Sequence, residues 1–375
     1  MKIAIVCYPT HGGSGVVASE LALGLARRGH RVHIVSYAVP FRLRGFHPNL
    51  HMHEVEVSTY PLFKYPPYTL ALATKLAQVA VDEEIDVIHA HYAVPHAVSA
   101  LLARQILGGQ APKIVTTLHG TDITLVGADE SFHRVIKFAI EVSDAVTTVS
   151  QYLRARTIEE FSIERAIEVV YNFVDTSRPL RQSAAREHWA PRGEKILVHA
   201  SNFRPVKRAG DVVAIFDLVR RRMPAKLLLV GEGPDRIMVR DLVKDSGRQE
   251  DVHFLGEQDD LESILASSDL LLLPSEEESF GLVALEAAAA GVPVVGSRVG
   301  GLPEVVVHGE TGYLLPVGET GPMAEAAIAV LSTPSEWKRL SEAGRKRAAE
   351  RFDAAFIVPQ YEHVYEKLVS ASPPR

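Results

Sequence analysis

Residues 2–28 read KIAIVCYPTHGGSGVVASELALGLARR, and this stretch decides the fold. Residues 2–7 are apolar after Lys2 and rich in β-branched side chains, the composition of a strand covered on both faces. Gly12, Gly13 and Gly15 follow, and residues 16–28 then carry apolar positions at helical spacing. Strand, glycine-rich turn and helix together predict the opening unit of a parallel α/β sheet.

The same alternation runs outward through the chain. Further strands are expected at 31–36, 87–91, 113–118, 145–149 and 167–171, then at 195–200, 226–230, 252–255, 270–273, 293–296 and 312–314. Helices are expected at 68–84, 132–142, 210–222, 235–246, 259–266 and 280–290. The polar, proline-bearing segment 175–194 marks a seam, giving an N-terminal domain 1–175 and a C-terminal domain 176–352. Residues 353–375 read as mostly helical, able to pack back on the first domain, with a kink or restart at Pro359. The expected class is α/β, with two doubly wound parallel-sheet, Rossmann-like domains. Each should bind ligand at the C-terminal ends of its strands.

Composition excludes several classes. The 375 residues suit about two domains, and 47% hydrophobic against 23% charged residues excludes disorder as the main state. A net charge of −6 argues against nucleic acid and anionic membrane as bulk-charge partners. The lone cysteine, Cys7, removes an intrachain disulfide framework. The N-terminus has no signal-peptide pattern and no apolar run is long enough to span a bilayer, so the chain reads as soluble and cytoplasmic.

Gly13-x-Gly15-x-x-Ala18 formally matches a dinucleotide fingerprint. That motif wants an acidic residue about 20 positions on, and this chain has Ser36-Tyr37-Ala38-Val39 there. The nicotinamide reading loses its support; a tight turn, or a backbone cradle for an anion at a helix N-terminus, is what remains. There are 16 histidines. His89, His91, His96 and His119 suggest a metal site, but no cysteine or carboxylate stands beside them at ligand spacing. Satisfied or partly exposed polar histidines are the better reading, and nothing requires a metal. His119 differs, because it follows a strand end where ligands bind, and it is read as a substrate contact.

Three stretches of the second half point to phosphate. Ser201-Asn202-Phe203-Arg204-Pro205-Val206-Lys207-Arg208 follows a strand and sets Arg204 and Lys207 at its mouth, suited to a doubly charged leaving group unless this is merely an exposed basic loop. Gly231-Glu232-Gly233-Pro234 says only "turn". Residues 274–287 carry Glu278 and Glu286 eight apart, with Ser279 a candidate N-cap and Gly281 among the first helical residues. Glu286 stands alone in an apolar helix, where a carboxylate is rarely placed without a partner, and can reach a sugar diol.

Glu278-x7-Glu286, the Arg204/Lys207 pair and the GGSG loop together resemble the family-4 retaining glycosyltransferases of GT-B fold, over essentially the whole chain. The stretches 65–68, 91–97, 118–124 and 170–175 are similar to the branch that makes the first intermediate of bacillithiol. The resemblance implies two domains facing a cleft, UDP-N-acetylglucosamine as donor, L-malate as acceptor, and no cofactor. It implies donor contacts from Gly13, Asn202, Arg204, Lys207, Glu278, Ser279, Phe280, Gly281, Leu282 and Glu286, with His119, Arg204, Lys207 and Glu278 catalytic. Ser14, Tyr92, Thr117 and Asn172 would meet the acceptor. Arg42, Arg44 and Lys64 are the candidate partners of its carboxylates. Other acceptors (inositol phosphate, a lipid or a polysaccharide precursor), a UDP-N-acetylglucosamine epimerase and a two-lobed binding protein are the rival readings. The resemblance implies neither nucleic acid nor stable membrane insertion, and leaves a homo-oligomer open.

Overall fold

The computed structural model describes residues 1–10, 12–43, 45–57, 63–124, 127, 129–179 and 186–371. His11 of the glycine loop, Arg44, residues 180–185 of the seam and residues 372–375 lie outside them. The chain forms two compact units: Met1–Asn172 with Ala355–Arg375, and Phe173–Ala354.

The first unit is built on β1 (Lys2–Val6), β2 (Arg31–Ser36), β3 (Leu50–Glu54), β4 (Val87–His91), β5 (Lys113–Leu118), β6 (Ala145–Thr148) and β7 (Glu168–Val169). All pair in parallel in the order β3-β2-β1-β4-β5-β6-β7. The second unit has β8 (Lys195–Ala200), β9 (Ala225–Val230), β10 (Val252–Gly256), β11 (Leu270–Leu273), β12 (Val294–Ser297) and β13 (Gly312–Leu315). Its order, β10-β9-β8-β11-β12-β13, repeats the first six strands of the other sheet. Ile3, Ile5, Leu197 and Leu271 are fully buried, as strands covered by helices on both faces require. Strand order reverses between β1 and β4 in one unit and between β8 and β11 in the other. At such a reversal the connections leave in opposite directions, opening a crevice at the strands' C-terminal ends.

Three expectations need correction. Strand β3 is absent from the sequence reading because LHMHE is half polar and its residues are only partly buried, as suits a sheet edge. The helix expected from residue 280 starts at Leu282, with Gly281 before it at φ +88°, so neither Ser279 as N-cap nor Gly281 as a helical residue holds. Pro359 does not restart the last segment: one helix runs Ala354–Ser370 with the proline inside it. The proline, sixth in the helix, forgoes the one backbone bond its N–H would have made to Ala355, and apolar burial along the helix offsets that loss.

That helix belongs to the first unit. It buries Ile357, Val358, Tyr361, Val364 and Tyr365, and Val358 sits against Gly24, where a Cβ would come within 2.8 Å of it. Glu362 accepts from Arg28 Nε at 2.7 Å and lies 2.7 Å from His30 Nε2. Five buried side chains at about 2 kcal/mol each outweigh a rim ion pair worth at most about 1 kcal/mol. Apolar burial holds the helix, and the ion pair fixes its register.

Candidate active site

In the second unit the loops after β8 and β11 flank the strand-order reversal, and the sequence-named residues lie on them. Backbone joins the loops: Glu276 N–H donates to Val206 O at 2.7 Å. Side chains join them again, since Lys207 Nζ donates to Glu278 Oε1 at 2.7 Å and Ser275 Oγ donates to the same oxygen at 2.8 Å. Residues 71 apart in sequence thus form one charged pair, with the carboxylate buried and the lysine about a fifth exposed. Arg204 and Asn202 are exposed beside it.

Beneath the pair, neutral His199 donates from Nδ1 to Leu272 O at 2.9 Å and accepts at Nε2 from Ser201 Oγ at 2.8 Å. Burial pushes its pKa down to about 4, so a neutral imidazole ties β8 to β11 and to the basic loop. Gly300 fixes the other side. Its φ is +56°, and a Cβ there would lie 1.9 Å from the carbonyl oxygen of Glu278. The 231–234 turn passes under the basic loop, with Asp235 N–H donating to Phe203 O at 2.9 Å. Phe280 is buried edge-on against Phe352 at 5.8 Å, and so anchors the loop from within. Glu286, about one turn into the helix Leu282–Ala290, is half-buried.

In the first unit the glycine loop after β1 and the segments after β4 and β5 meet at the matching place. Gly13 begins the helix Gly13–Arg27, and Ser14 is half-buried in its first turn. A Cβ on Gly15 would lie 2.4 Å from Thr10 O, so the turn closes only around glycine. After β4, Tyr92 holds φ +89°, ψ +140°, a conformation an L side chain rarely adopts. Its N–H donates to Thr117 O at 2.9 Å, and its ring lies 5.2 Å from His119 and 5.8 Å from Tyr8.

The histidines there are buried and hydrogen-bonded, the first of the two alternatives the sequence left open. His91 Nδ1 lies 2.9 Å from His119 Nε2, and His89 bridges Thr117 Oγ1 at 2.6 Å and Tyr365 OH at 2.8 Å. Burial pushes His89 and His119 down to about 3 and His96 to about 4, so the cluster is neutral at physiological pH. With no charge on either ring, the His91–His119 contact carries a single proton, so one ring donates, the other accepts and their tautomers are coupled. Thr117 is fully buried, its hydroxyl also 2.6 Å from Thr147 Oγ1. Asn172 is buried at the end of the unit with Oδ1 lacking a hydrogen-bond partner.

Sequence reasoning passed over Asp122, which organises this region. Its carboxylate accepts from the N–H groups of Gly120 at 2.9 Å and of His119 and Ala93 at 3.2 Å, locking the ends of β4 and β5 together. Burial pushes its pKa up to about 6 against those bonds. The available signal was an aspartate in the first turn of a short helix just after a strand, where the helix dipole favours a carboxylate.

Residues 11–178 match the family described as Glycosyltransferase Family 4, and residues 181–347 that described as Glycosyl transferases group 1. Over 368 residues the chain is 49% identical to N-acetyl-alpha-D-glucosaminyl L-malate synthase of Bacillus anthracis, covering 97% of this chain and 96% of that protein. Sucrose-phosphate synthase of Thermosynechococcus elongatus superposes with TM-score 0.83 at 22% identity, over 99% of this chain and 100% of that one. HepE of Anabaena, solved with UDP and glucose, gives TM-score 0.80 at 21% identity over 98% and 100%. Identities this low speak for a shared fold alone.

Proposed function

The chain belongs to glycosyltransferase family 4 and has the GT-B fold, and from that premise we propose that it moves N-acetylglucosamine from UDP-N-acetylglucosamine to the hydroxyl of L-malate with retention at the anomeric carbon. It is a hexosyltransferase, and we read the transfer as a cytoplasmic first step towards bacillithiol. One observation carries the substrate assignment: 49% identity to the malate-glycosylating relative extends through both units. Among the described residues no helix is long and apolar enough to cross a membrane, which agrees with two water-soluble substrates.

We assign the roles as follows. Glu286 holds the uridine ribose through its two carboxylate oxygens. Arg204 and Lys207 meet the diphosphate, helped by backbone at Gly13, by Asn202 and by the start of the helix at Leu282, whose first N–H groups favour an anion. Glu278, with Ser279, Phe280 and Gly281 on its loop, positions the sugar. In the first unit, neutral His119 contacts the sugar, and Ser14, Tyr92 and Asn172 take the acceptor. Thr117 stands behind them, its hydroxyl committed to His89 and Thr147.

In the transfer the bond from the anomeric carbon to the β-phosphate oxygen breaks and a bond to the malate oxygen forms on the same face. The leaving phosphate oxygen takes the malate hydroxyl proton. No protein base is needed; what the chain supplies is positive charge where negative charge develops. Lys207 is held for this purpose, since Glu278 keeps the ammonium ordered until the diphosphate competes for it.

The test is UDP release from UDP-N-acetylglucosamine with L-malate, with inositol phosphate, and with no acceptor. Malate-dependent release is expected. Release with inositol phosphate alone would transfer the assignment to another acceptor, and acceptor-independent turnover to an epimerase or hydrolase.

A further inference from the structure

The edge of the first sheet carries a cluster that sugar transfer leaves unused. His33 on β2 pairs in register with His51 on β3, and Val35 with His53. Alternation along a strand then puts all three imidazoles on one face. Their rings stack, His33 lying 5.0 Å from His51 and 5.2 Å from His53. Glu83, at the end of the helix Tyr68–Asp82, completes the group: one ligand atom each from His33, His53 and Glu83 fall within 4.8 Å of one another.

We propose that His33, His53 and Glu83 form a binding site for a transition-metal dication of zinc type, which clamps the edge strand β3 to β2 and to the end of that helix. The donor set of two imidazoles and a carboxylate suits Zn²⁺ with a water as fourth ligand. The spacing is close to what the ion needs. His33 Nδ1 and His53 Nε2 lie 2.9 Å apart, and two nitrogens on a tetrahedral zinc lie about 3.3 Å apart. An opening of a few tenths of an ångström admits the ion, while the shared proton moves to the far nitrogen of its own ring.

A second observation singles out His33. It is fully buried, its Nε2 has no hydrogen-bond partner, and its Nδ1 faces the other imidazole at 2.9 Å. An apolar residue would sit there at less cost, so the ring is retained for its Nδ1. The charged neighbours are Arg31, Lys75 and Asp82. Arg31 is half exposed and 3.8 Å from Glu83, a loose pair that a dication would displace.

Tag-free protein stripped with chelator would be titrated with Zn²⁺ by calorimetry and with Co²⁺ by visible absorption. One equivalent should bind with a dissociation constant at or below about 10 μM, and Co²⁺ should give the intense visible bands of a four-coordinate site. His53→Ala and Glu83→Gln should each weaken binding at least tenfold, with UDP release in chelator unchanged. Zn²⁺ should raise the melting temperature of the wild type and not of His53→Ala. Absence of binding up to 100 μM overturns the proposal. So does one equivalent bound equally well by His53→Ala, which would place the ion elsewhere.

Discussion

The Lys207–Glu278 pair can be weighed by a double-mutant cycle of Lys207→Met, Glu278→Gln and both together. The bond is charge-assisted, 2.7 Å long, with side-chain exposures of 21% and 9%. A hydrogen bond to a charged group contributes about 1.5–3 kcal/mol when buried, and the partly exposed lysine reduces the expected coupling to about 1–2 kcal/mol. Lys207→Met alone should cost more, about 2–4 kcal/mol, because it leaves a buried carboxylate with one neutral donor, Ser275. Both tryptophans, Trp189 and Trp337, belong to the second unit, so fluorescence during urea unfolding reports on that unit by itself. The same pair governs ligand affinity. If Glu278 must release Lys207 before the diphosphate is met, Glu278→Gln should bind UDP about 5–30-fold tighter, the coupling converted at about 1.4 kcal/mol per decade. Transfer from UDP-N-acetylglucosamine should nonetheless fall, and Lys207→Met should lower turnover by about 10²–10³. A coupling below about 0.5 kcal/mol with unchanged UDP affinity would refute the argument that the pair restrains the lysine. Turnover of Lys207→Met near wild type would remove the lysine from the chemistry.

Other outcomes follow from single contacts. Gly300→Ala drives a Cβ into the Glu278 carbonyl at 1.9 Å from a positive φ, so it should destabilise the second unit by more than about 2 kcal/mol and depress activity with it; a neutral urea midpoint would contradict this. Tyr365→Phe removes the 2.8 Å partner of buried His89 Nδ1 and should lower stability of the first unit by about 1–3 kcal/mol in circular-dichroism melts. Glu286→Ala should weaken UDP binding measured by calorimetry, and unchanged affinity would end its ribose role. The buried histidines make the first unit acid-labile. His89, His91, His96 and His119 have folded pKa values below the unfolded value, so the unfolded chain takes up protons that the fold refuses as pH drops below about 6.5. Asp122, raised to about 6, works in the opposite sense between pH 4 and 6 and cancels about one of them. Stability is therefore complete above pH 6.5 and should fall by up to about 4 kcal/mol per unit near pH 5; a flat melting temperature from pH 7 to 5 would count against neutral burial.

Much of this was legible before any coordinates. Continuous apolar runs such as those of β1, β8 and β11 signalled buried parallel strands, because only helices on both faces leave a strand no solvent side. The two loops of the second unit were legible too, since basic and acidic residues right after a strand have few structural reasons to be there. What escaped was whatever depended on position within the sheet. LHMHE does not look like a strand until its place at an edge explains why half of it stays polar. Pro359 does not look helical until it is seen inside a helix held by apolar burial.

The sequence by itself determined the class of fold, the repeated strand-turn-helix unit and the charged side chains offered on the loops after β8 and β11. Hydrophobic period and turn chemistry are local, and local patterns survive in one dimension. Only the tertiary structure decided the pairings: Lys207 with Glu278, His91 with His119, Asp122 across the ends of β4 and β5, and His33 with His53. Each joins residues on different strands or loops, and strand order sets which of these come together. The histidine excess shows the difference best, because the same residue type became a neutral buried network in one place and a candidate metal cluster in another.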